Sequence, residues 1–251
     1  MEIAKKSNTH DDILYGKLRL WQPQKGPRVN VDTILLSAFT RIKSGERVIE
    51  LGCAQGAISL LLSMKFPRAG IIQGLELQPE LVELARKNAK ENSLDDRVRF
   101  IEGDLKMIDR FFPPGGCDVV VVNPPYFSSC PGRIGRSRSE ALARHDSACS
   151  LGDVISTSRY LLKSRGRLYL VMKSQRLSEL FSILDHHRMP CKRARPVYAS
   201  PGKRSHVILV QAAKDAKNGM YLEAPLFIYD HEREYTPELR SAYQLDSGSC
   251  L

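Results

Sequence analysis

The chain has 251 residues, of which 42% are hydrophobic and 26% are charged, which is ordinary for a globular protein of one large domain with a small extension. No apolar run approaches the length of a membrane span, so the composition excludes a membrane-spanning protein. Lysine and arginine (38) outnumber aspartate and glutamate (28), giving a net charge of +10; this fits a nucleic-acid partner or simply a basic surface.

The cysteines and the first residues indicate the cellular compartment. No two cysteines form a C-x-x-C pair, and none has a histidine at zinc-site spacing, so we expect reduced thiols in a cytoplasmic protein without a bound metal. Residues 1–12 are polar and lack a hydrophobic segment, so we expect no signal peptide. The six cysteines are Cys53, Cys117, Cys130, Cys149, Cys191 and Cys250.

In chain order, the alternating apolar and polar residues of 14–20 predict a small strand or hairpin. From residue 47 onward, predicted strands alternate with predicted helices. The predicted strands are 47–51, 70–75, 98–101, 118–122, 167–172, 193–197 and 206–212, and the predicted helices are 57–65, 79–92, 151–162 and 176–187.

This alternation predicts a doubly wound, Rossmann-like α/β fold with seven strands and helices on both faces of a mostly parallel sheet. The last two strands have no helix between them, so one of them should be an antiparallel edge strand. We therefore divide the chain into a β-rich extension (1–43), an α/β domain (44–245) and a disordered tail (246–251).

The most informative motif is Asn123-Pro124-Pro125-Tyr126, which follows the β-branched run Val119–Val122. Ligands bind at the carboxyl ends of strands in open α/β sheets, where this motif should lie. The asparagine offers a carbonyl acceptor, the prolines fix the directions of their carbonyl groups, and the tyrosine offers a flat face. These features suit the recognition of a planar amino or amide group.

Acidic residues at three strand ends predict a nucleoside cofactor. Glu50 opens the turn that contains Gly52 and Gly56, Glu76 ends the next strand at a position suited to ribose hydroxyls, and Asp104 follows the third strand. An acidic side chain at the glycine turn disfavours a pyrophosphate and favours a cationic, phosphate-free cofactor. S-adenosylmethionine, with its sulfonium, ammonium and ribose, matches this description.

These motifs resemble the class I S-adenosylmethionine-dependent methyltransferases with an N-P-P-Y motif, and among them the bacterial adenine-N6 methyltransferases of a valine tRNA. The resemblance runs from about residue 11 to 237 and includes 25–36, 143–145 and 225–229. Ala54 departs from the family, in which glycine is frequent there. The resemblance implies catalytic roles for Asn123, Pro124, Pro125 and Tyr126, and cofactor contacts for Glu50, Gly52, Cys53, Gly56, Glu76, Leu77, Asp104, Leu105 and Asn123.

Two basic segments could bind the phosphates of an RNA substrate, most simply a tRNA. One lies directly after the motif and the other spans 186–204, and for both a solvated basic surface is the alternative. Asp32 and Thr33 could also close over the cofactor. The oligomeric state stays open. The candidate RNA contacts are Arg133, Arg136, Arg138, Arg144, His145, Lys203 and Arg204.

The motif alone leaves other functions open. A glutamine side chain presents the same planar amide, although protein glutamine methyltransferases usually carry a helical N-terminal domain. Guanine-N2 methylation of ribosomal RNA is a further alternative, although those enzymes tend to have phenylalanine at position 126. A non-catalytic RNA-binding module is disfavoured by the intact motif.

Overall fold

A computed structural model describes residues 8–14, 16–124 and 149–244. Its strands are β1 (Asn8–Ile13), β2 (Leu18–Pro23), β3 (Val48–Leu51), β4 (Ile72–Glu76), β5 (Val98–Glu102), β6 (Cys117–Val122), β7 (Leu162–Lys173), β8 (Cys191–Tyr198), β9 (Ser205–Ala213), β10 (Tyr221–Leu222) and β11 (Leu226–Phe227). Its α-helices are α1 (Val31–Phe39), α2 (Ala57–Lys65), α3 (Pro79–Glu91), α4 (Leu151–Leu161), α5 (Leu177–His186) and α6 (Pro237–Gln244). Two 3₁₀ helices span Leu105–Arg110 and Ser174–Arg176.

The main sheet has the strand order β10-β8-β9-β7-β6-β3-β4-β5, with β11 also paired to β8. The seven long strands confirm the predicted Rossmann-like sheet, to which β10 and β11 add two residues each. All pairings are parallel except those of β9, which runs antiparallel to both β7 and β8. An antiparallel strand was predicted, but its placement at the edge was wrong. The turn after β8 inserts β9 between β8 and β7, so β9 is paired on both sides.

Strand β6 explains why the centre of the sheet is buried on both faces. Val119 and Val121 contribute to the core beneath α1, α2 and α3, whereas Val120 and Val122 contribute to the core beneath α4 and α5. Successive side chains of a strand point to opposite faces, so a continuous run of valines is suited to a sheet covered on both sides. The motif that begins at Asn123 therefore starts from a rigid position.

The residues before β3 form the predicted hairpin and also a helix that the sequence analysis did not predict. Strands β1 and β2 pair antiparallel. The backbone of Trp21 exchanges hydrogen bonds with the side chain of Asn88 on α3, and that of Arg19 does so with the side chain of Asn92, which caps this helix. Helix α1 begins at a capping box in which the side chain of Asn30 accepts a hydrogen bond from the backbone N–H of Thr33. The segment predicted as a β-rich extension shares one core with the sheet.

Among the described residues, no helix combines the length and the apolar character that crossing a bilayer requires. The predicted tail, 246–251, lies outside these residues, as do most residues of the motif-flanking basic segment.

Candidate active site

The strand register brings the predicted site residues to one edge of the sheet. Leu51 at the end of β3 is paired with Leu75 on one side and with Val122 on the other. The next residues, Gly52, Glu76 and Asn123, therefore lie side by side where three parallel strands end. This is the carboxyl edge at which open α/β sheets bind ligands.

A cavity of about 720 Å³ lies at this edge. Small-molecule and cofactor sites usually have volumes of about 300–1,000 Å³, so the cavity can hold a nucleoside cofactor. Its lining includes the following residues from the predicted set: Glu50, Gly52, Cys53, Glu76, Leu77, Asp104, Leu105, Asn123 and Pro124.

Glu50 supplies a buried carboxyl group to the cavity. Both the backbone N–H and the hydroxyl of Ser59 donate hydrogen bonds to its Oε2 atom. Burial nevertheless raises the pKa of Glu50 to about 8, and the neighbouring carboxylate of Glu76 adds to this increase. A cationic ligand would offset both effects, since an opposite charge nearby favours the ionised carboxylate.

Glu76 organises the turn that follows β3. Its Oε2 atom accepts a hydrogen bond from the backbone N–H of Ala54 at 2.9 Å, and its Oε1 atom accepts one from the N–H of Gln78 at 3.0 Å. Each carboxylate oxygen has a second lone pair, so both can still accept hydrogen bonds from ligand hydroxyl groups. This capacity matches the two hydroxyls of a ribose.

The far side of the cavity offers apolar surface and one further acid. Leu77 lines the cavity and is 56% exposed, so its apolar side chain is available for contact with a ligand. Asp104 caps the first 3₁₀ helix by accepting a hydrogen bond from the N–H of Lys106 at 2.9 Å. Leu105 is held by Thr157, whose hydroxyl donates to the Leu105 carbonyl at 3.3 Å. These residues suit a planar heterocycle with amino groups at its rim.

A methyltransferase-domain family model matches residues 42–210, which is more than half of the chain. The chain belongs to this family of methyltransferase domains. The predictions of a methyltransferase and of S-adenosylmethionine as its cofactor are thereby confirmed.

Curated relatives of this methyltransferase extend the similarity beyond the domain. An enzyme of Porphyromonas gingivalis named tRNA1(Val) (adenine(37)-N6)-methyltransferase is 29% identical over 219 residues, covering 84% of this chain and 85% of the relative. A protein of the same name from Histophilus somni is 24% identical over 246 residues, covering 96% and 98%. The predicted resemblance to this group is confirmed.

Among solved structures, that of a predicted O-methyltransferase from Agrobacterium tumefaciens has a TM-score of 0.69 at 20% identity. The alignment covers 84% of this chain and 96% of that one. At this level of identity the match supports the fold alone.

Gly56 is the predicted cofactor residue that does not line the cavity of the methyltransferase. It has a φ of +86° and precedes α2. A Cβ atom at this position would lie 2.5 Å from Cζ of Phe100 and 3.1 Å from Cβ of Ala85. Its cofactor contact, implied by the family resemblance, stays a prediction, whereas the structure gives this glycine a role in the packing of α2 and α3 on the sheet.

The predicted catalytic and RNA-binding residues divide between described and undescribed parts of the methyltransferase. Asn123 and Pro124 line the cavity, whereas Pro125, Tyr126, Arg133, Arg136, Arg138, Arg144 and His145 lie outside the described residues. Lys203 and Arg204 are exposed in the turn between β8 and β9. Because β8 runs parallel to β6, this turn lies at the same edge of the sheet as Asn123.

Two arginines of the second basic segment form ion pairs within the folded protein. Arg193 pairs with Glu223 at 2.6 Å and lies over the ring of Phe39. Arg195 is 7% exposed and pairs with Glu238. Within 186–204, the segment expected to bind phosphates, these two side chains instead form ion pairs that attach the C-terminal residues to β8.

Apart from Thr33, the residues of one wall of the cavity were not predicted. The loop between β2 and α1 lines it through Gly26, Pro27, Arg28, Val29 and Asn30, and Thr33 follows on α1, whereas Asp32 is not among the lining residues. Gln55 and Cys149 also contribute. The only sequence signal for this wall was the family resemblance of 25–36, because neither periodicity nor composition distinguishes these residues from an ordinary loop.

Proposed function

We propose that this methyltransferase transfers a methyl group from S-adenosylmethionine to the N6 amine of an adenine in RNA, most simply a tRNA. The observation that carries the proposal is that Asn123 and Pro124 line the same cavity as Glu50, Glu76 and Asp104. The acceptors for a planar amine are thus in the same cavity as the three acidic residues, which suit a nucleoside with a cationic side chain.

In this proposal, different residues of the cavity bind different parts of the cofactor. When bound, S-adenosylmethionine supplies an activated methyl group on a positively charged sulfur. Glu50 and the turn from Gly52 would hold the amino-acid part, and Glu76 would accept hydrogen bonds from the ribose. Asp104 and the apolar side chains of Leu77 and Leu105 would hold the adenine ring.

Asn123 and Pro124 would prepare the acceptor amine. The nitrogen of an adenine amine is a weak nucleophile because its lone pair is delocalised into the ring. The Asn123 side-chain oxygen and the Pro124 carbonyl would accept its two N–H groups, which favours a pyramidal nitrogen with its lone pair directed at the methyl group. Such positioning is a large source of rate acceleration in displacement reactions. In the same proposal, Pro125 stiffens the loop and Tyr126 stacks on the base.

The choice of adenine in tRNA is supported by the names of the curated relatives, which agree over most of the chain. A net charge of +10 also favours a polyanionic substrate over a glutamine side chain of a protein. Lys203 and Arg204 would contact phosphates at the edge of the sheet, together with the candidate contacts Arg133, Arg136, Arg138, Arg144 and His145. Since tRNA is the substrate in this proposal, we also place the enzyme in the cytoplasm. We expect it to need no metal, because the proposed transfer depends on positioning of the amine.

Mass spectrometry of modified nucleosides tests this function. Unmodified tRNA, ribosomal RNA and a glutamine-containing protein mixture are each incubated with the enzyme and cofactor carrying a labelled methyl group. Label in N6-methyladenosine from tRNA supports the proposal. Label in N2-methylguanosine from ribosomal RNA, or in protein glutamine, would replace it with one of the alternatives.

A further inference from the structure

Gln22, near the end of β2, connects three separate parts of the chain. It is 2% exposed. Its Nε2 atom donates a hydrogen bond to Oδ2 of Asp11 at 2.7 Å. Its Oε1 atom accepts one from the backbone N–H of Val29 at 2.7 Å and another from Nε2 of Gln55 at 3.2 Å. The residue lies outside the region that the family model matches.

The partners of Gln22 fix the orientation of its amide. A carboxylate can only accept a hydrogen bond and a backbone N–H can only donate one. The amide nitrogen must therefore face Asp11 and the amide oxygen must face Val29. Asp11 is itself held by the hydroxyl of Thr9 at 2.8 Å and by the guanidinium of Arg28 at 2.7 Å.

The two groups that meet at the Gln22 oxygen belong to two different segments that line the cavity. Val29 lies in the loop between β2 and α1, and Gln55 lies in the turn between β3 and α2; both line the cavity. One buried oxygen atom thus joins the wall built by the hairpin side of the chain to the glycine turn. Asn88 reinforces the joint, since its Nδ2 atom donates to the carbonyls of both Gln55 and Trp21, at 2.9 and 3.0 Å.

We propose that Gln22 is a positioning residue for S-adenosylmethionine, which fixes the loop around Val29 against the glycine turn at the cavity where the cofactor binds. This inference rests on the proposed function in taking the cavity as the cofactor site. Gln22 does not itself line the cavity, so it acts through Val29 and Gln55. Its loss should weaken the binding of the cofactor without altering the chemistry of the bound complex.

A pair of matched variants separates this role from a general contribution to stability. Gln22→Met keeps the length of the side chain but removes all three hydrogen bonds. Asn92→Ala also removes three hydrogen bonds, two with the backbone of Arg19 in the same hairpin and one to the carbonyl of Asn88. Neither Asn92 nor Arg19 lines the cavity. Calorimetric titration with S-adenosylmethionine gives the affinity, and thermal unfolding gives the stability of each full-length variant.

For Gln22→Met we expect the Kd of the cofactor to rise at least about tenfold, since one hydrogen bond is worth close to one such factor. The KM for the cofactor should rise in proportion, whereas kcat at saturating cofactor and the KM for tRNA should stay within about threefold, as for a loss of uniform binding. Asn92→Ala should lower thermal stability with a change in cofactor Kd of less than about threefold.

Asp11→Ala provides a second variant in case Gln22→Met does not fold. It leaves the buried glutamine in place but removes the group that orients its amide, so we expect a smaller rise in cofactor Kd of about threefold. An unchanged Kd in Gln22→Met would overturn the inference, as would an unchanged Kd in Asp11→Ala if Gln22→Met does not fold. An equal loss of affinity in Asn92→Ala would also overturn it. Failure of the wild-type chain to bind the cofactor would instead overturn the proposed function.

Discussion

The ring of Phe100 occupies the space that a side chain at Gly56 would need, with Cζ only 2.5 Å from the position of a Cβ atom there. The same ring lies 2.7 Å from the position of a Cβ atom at Gly74 on β4. Phe100 is buried on β5, and two glycines make room for it. The glycine turn of the methyltransferase is therefore tied to the packing of the sheet as well as to its cofactor.

We expect Gly56→Ala to destabilise the protein more than Gly52→Ala. Both positions have a positive φ, +86° and +70°, which costs an L-residue about 1–2 kcal/mol. At Gly56 an alanine would also overlap the ring of Phe100, which typically costs a further ~1–3 kcal/mol. At Gly52 there is no such overlap, because nothing lies within 4 Å of a Cβ atom there. Urea unfolding of the two variants measures the difference.

The background variant Phe100→Leu provides the control for this explanation. A smaller side chain relieves part of the overlap, so Gly56→Ala should cost less free energy of unfolding in that background than in the wild type. Equal costs in both backgrounds would show that the ring of Phe100 is not the cause.

The sequence predicted the strands and helices of the sheet well because their patterns are local. The valines before Asn123 specify a strand buried on both faces, and Pro79 marks the start of α3 at its first residue. Long-range relationships have no such local pattern. The insertion of β9 between β7 and β8, and the contact of Gly56 with Phe100, depend on which distant residues meet.

In the candidate site, too, the sequence predicted local features but not the contacts between distant residues. Acidic residues at strand ends could be assigned to one cavity because parallel strands end at one edge. The wall around Val29 could not be assigned in this way, because its position depends on the hydrogen bond that the N–H of Val29 donates to Gln22 and on the packing of α1. Arg193 and Arg195 likewise form ion pairs with distant glutamates, and the net charge of the chain does not show which arginines are paired in this way.

Ala54→Gly should stabilise the protein by about 1 kcal/mol, because Ala54 has a φ of +47° and an L-residue is strained there. Its N–H donates to Glu76, a backbone contact that glycine retains, so cofactor affinity should be unchanged. Ala89→Gly in the last turn of α3 is the control and should lose about 1 kcal/mol. Chemical unfolding gives both values, and a loss of stability in Ala54→Gly would contradict the assignment of strain.

The pH dependence of stability should report Glu50. Its pKa is about 8 in the folded protein, against about 4.5 when unfolded, so the folded state retains a proton that the unfolded state releases. Without cofactor, stability should therefore fall as pH rises from about 4.5 to about 8, with a slope of at most about 1.4 kcal/mol per pH unit. Urea unfolding across this range should show the slope in the wild type and lose most of it in Glu50→Gln.

Cofactor binding should respond to the same group in the opposite direction. A cation beside Glu50 favours the ionised carboxylate, so binding below pH 8 should release a proton and the affinity should increase with pH, by at most about tenfold per pH unit. Titration calorimetry in buffers of different ionisation enthalpy measures the released proton. Binding without proton release at pH 7 would mean that Glu50 does not face the cationic part of the cofactor.

Lys203 and Arg204 should contribute to RNA affinity through phosphate contacts. Replacing both with glutamine should weaken tRNA binding and flatten the dependence of log K on log salt by about 1.4, since each contact to a single strand contributes about 0.7. The control replaces Arg68 and Lys90, which are also exposed but lie at the opposite edge of the sheet. Filter binding at several salt concentrations should show an unchanged slope for the control, and an unchanged slope for the first variant would exclude the turn from the RNA surface.

Asn123→Ala should separate cofactor binding from methyl transfer. The variant removes an acceptor for the substrate amine but leaves Glu50, Glu76 and Asp104 in place, so cofactor Kd should change by less than about threefold. The rate of methyl transfer should fall at least about 100-fold, the usual loss when a group that acts in the transition state is removed. Pro124→Ala retains its backbone carbonyl acceptor and should therefore lose less activity than Asn123→Ala. Single-turnover rates with labelled cofactor measure the effect, and wild-type rates in Asn123→Ala would place the acceptor amine elsewhere in the cavity.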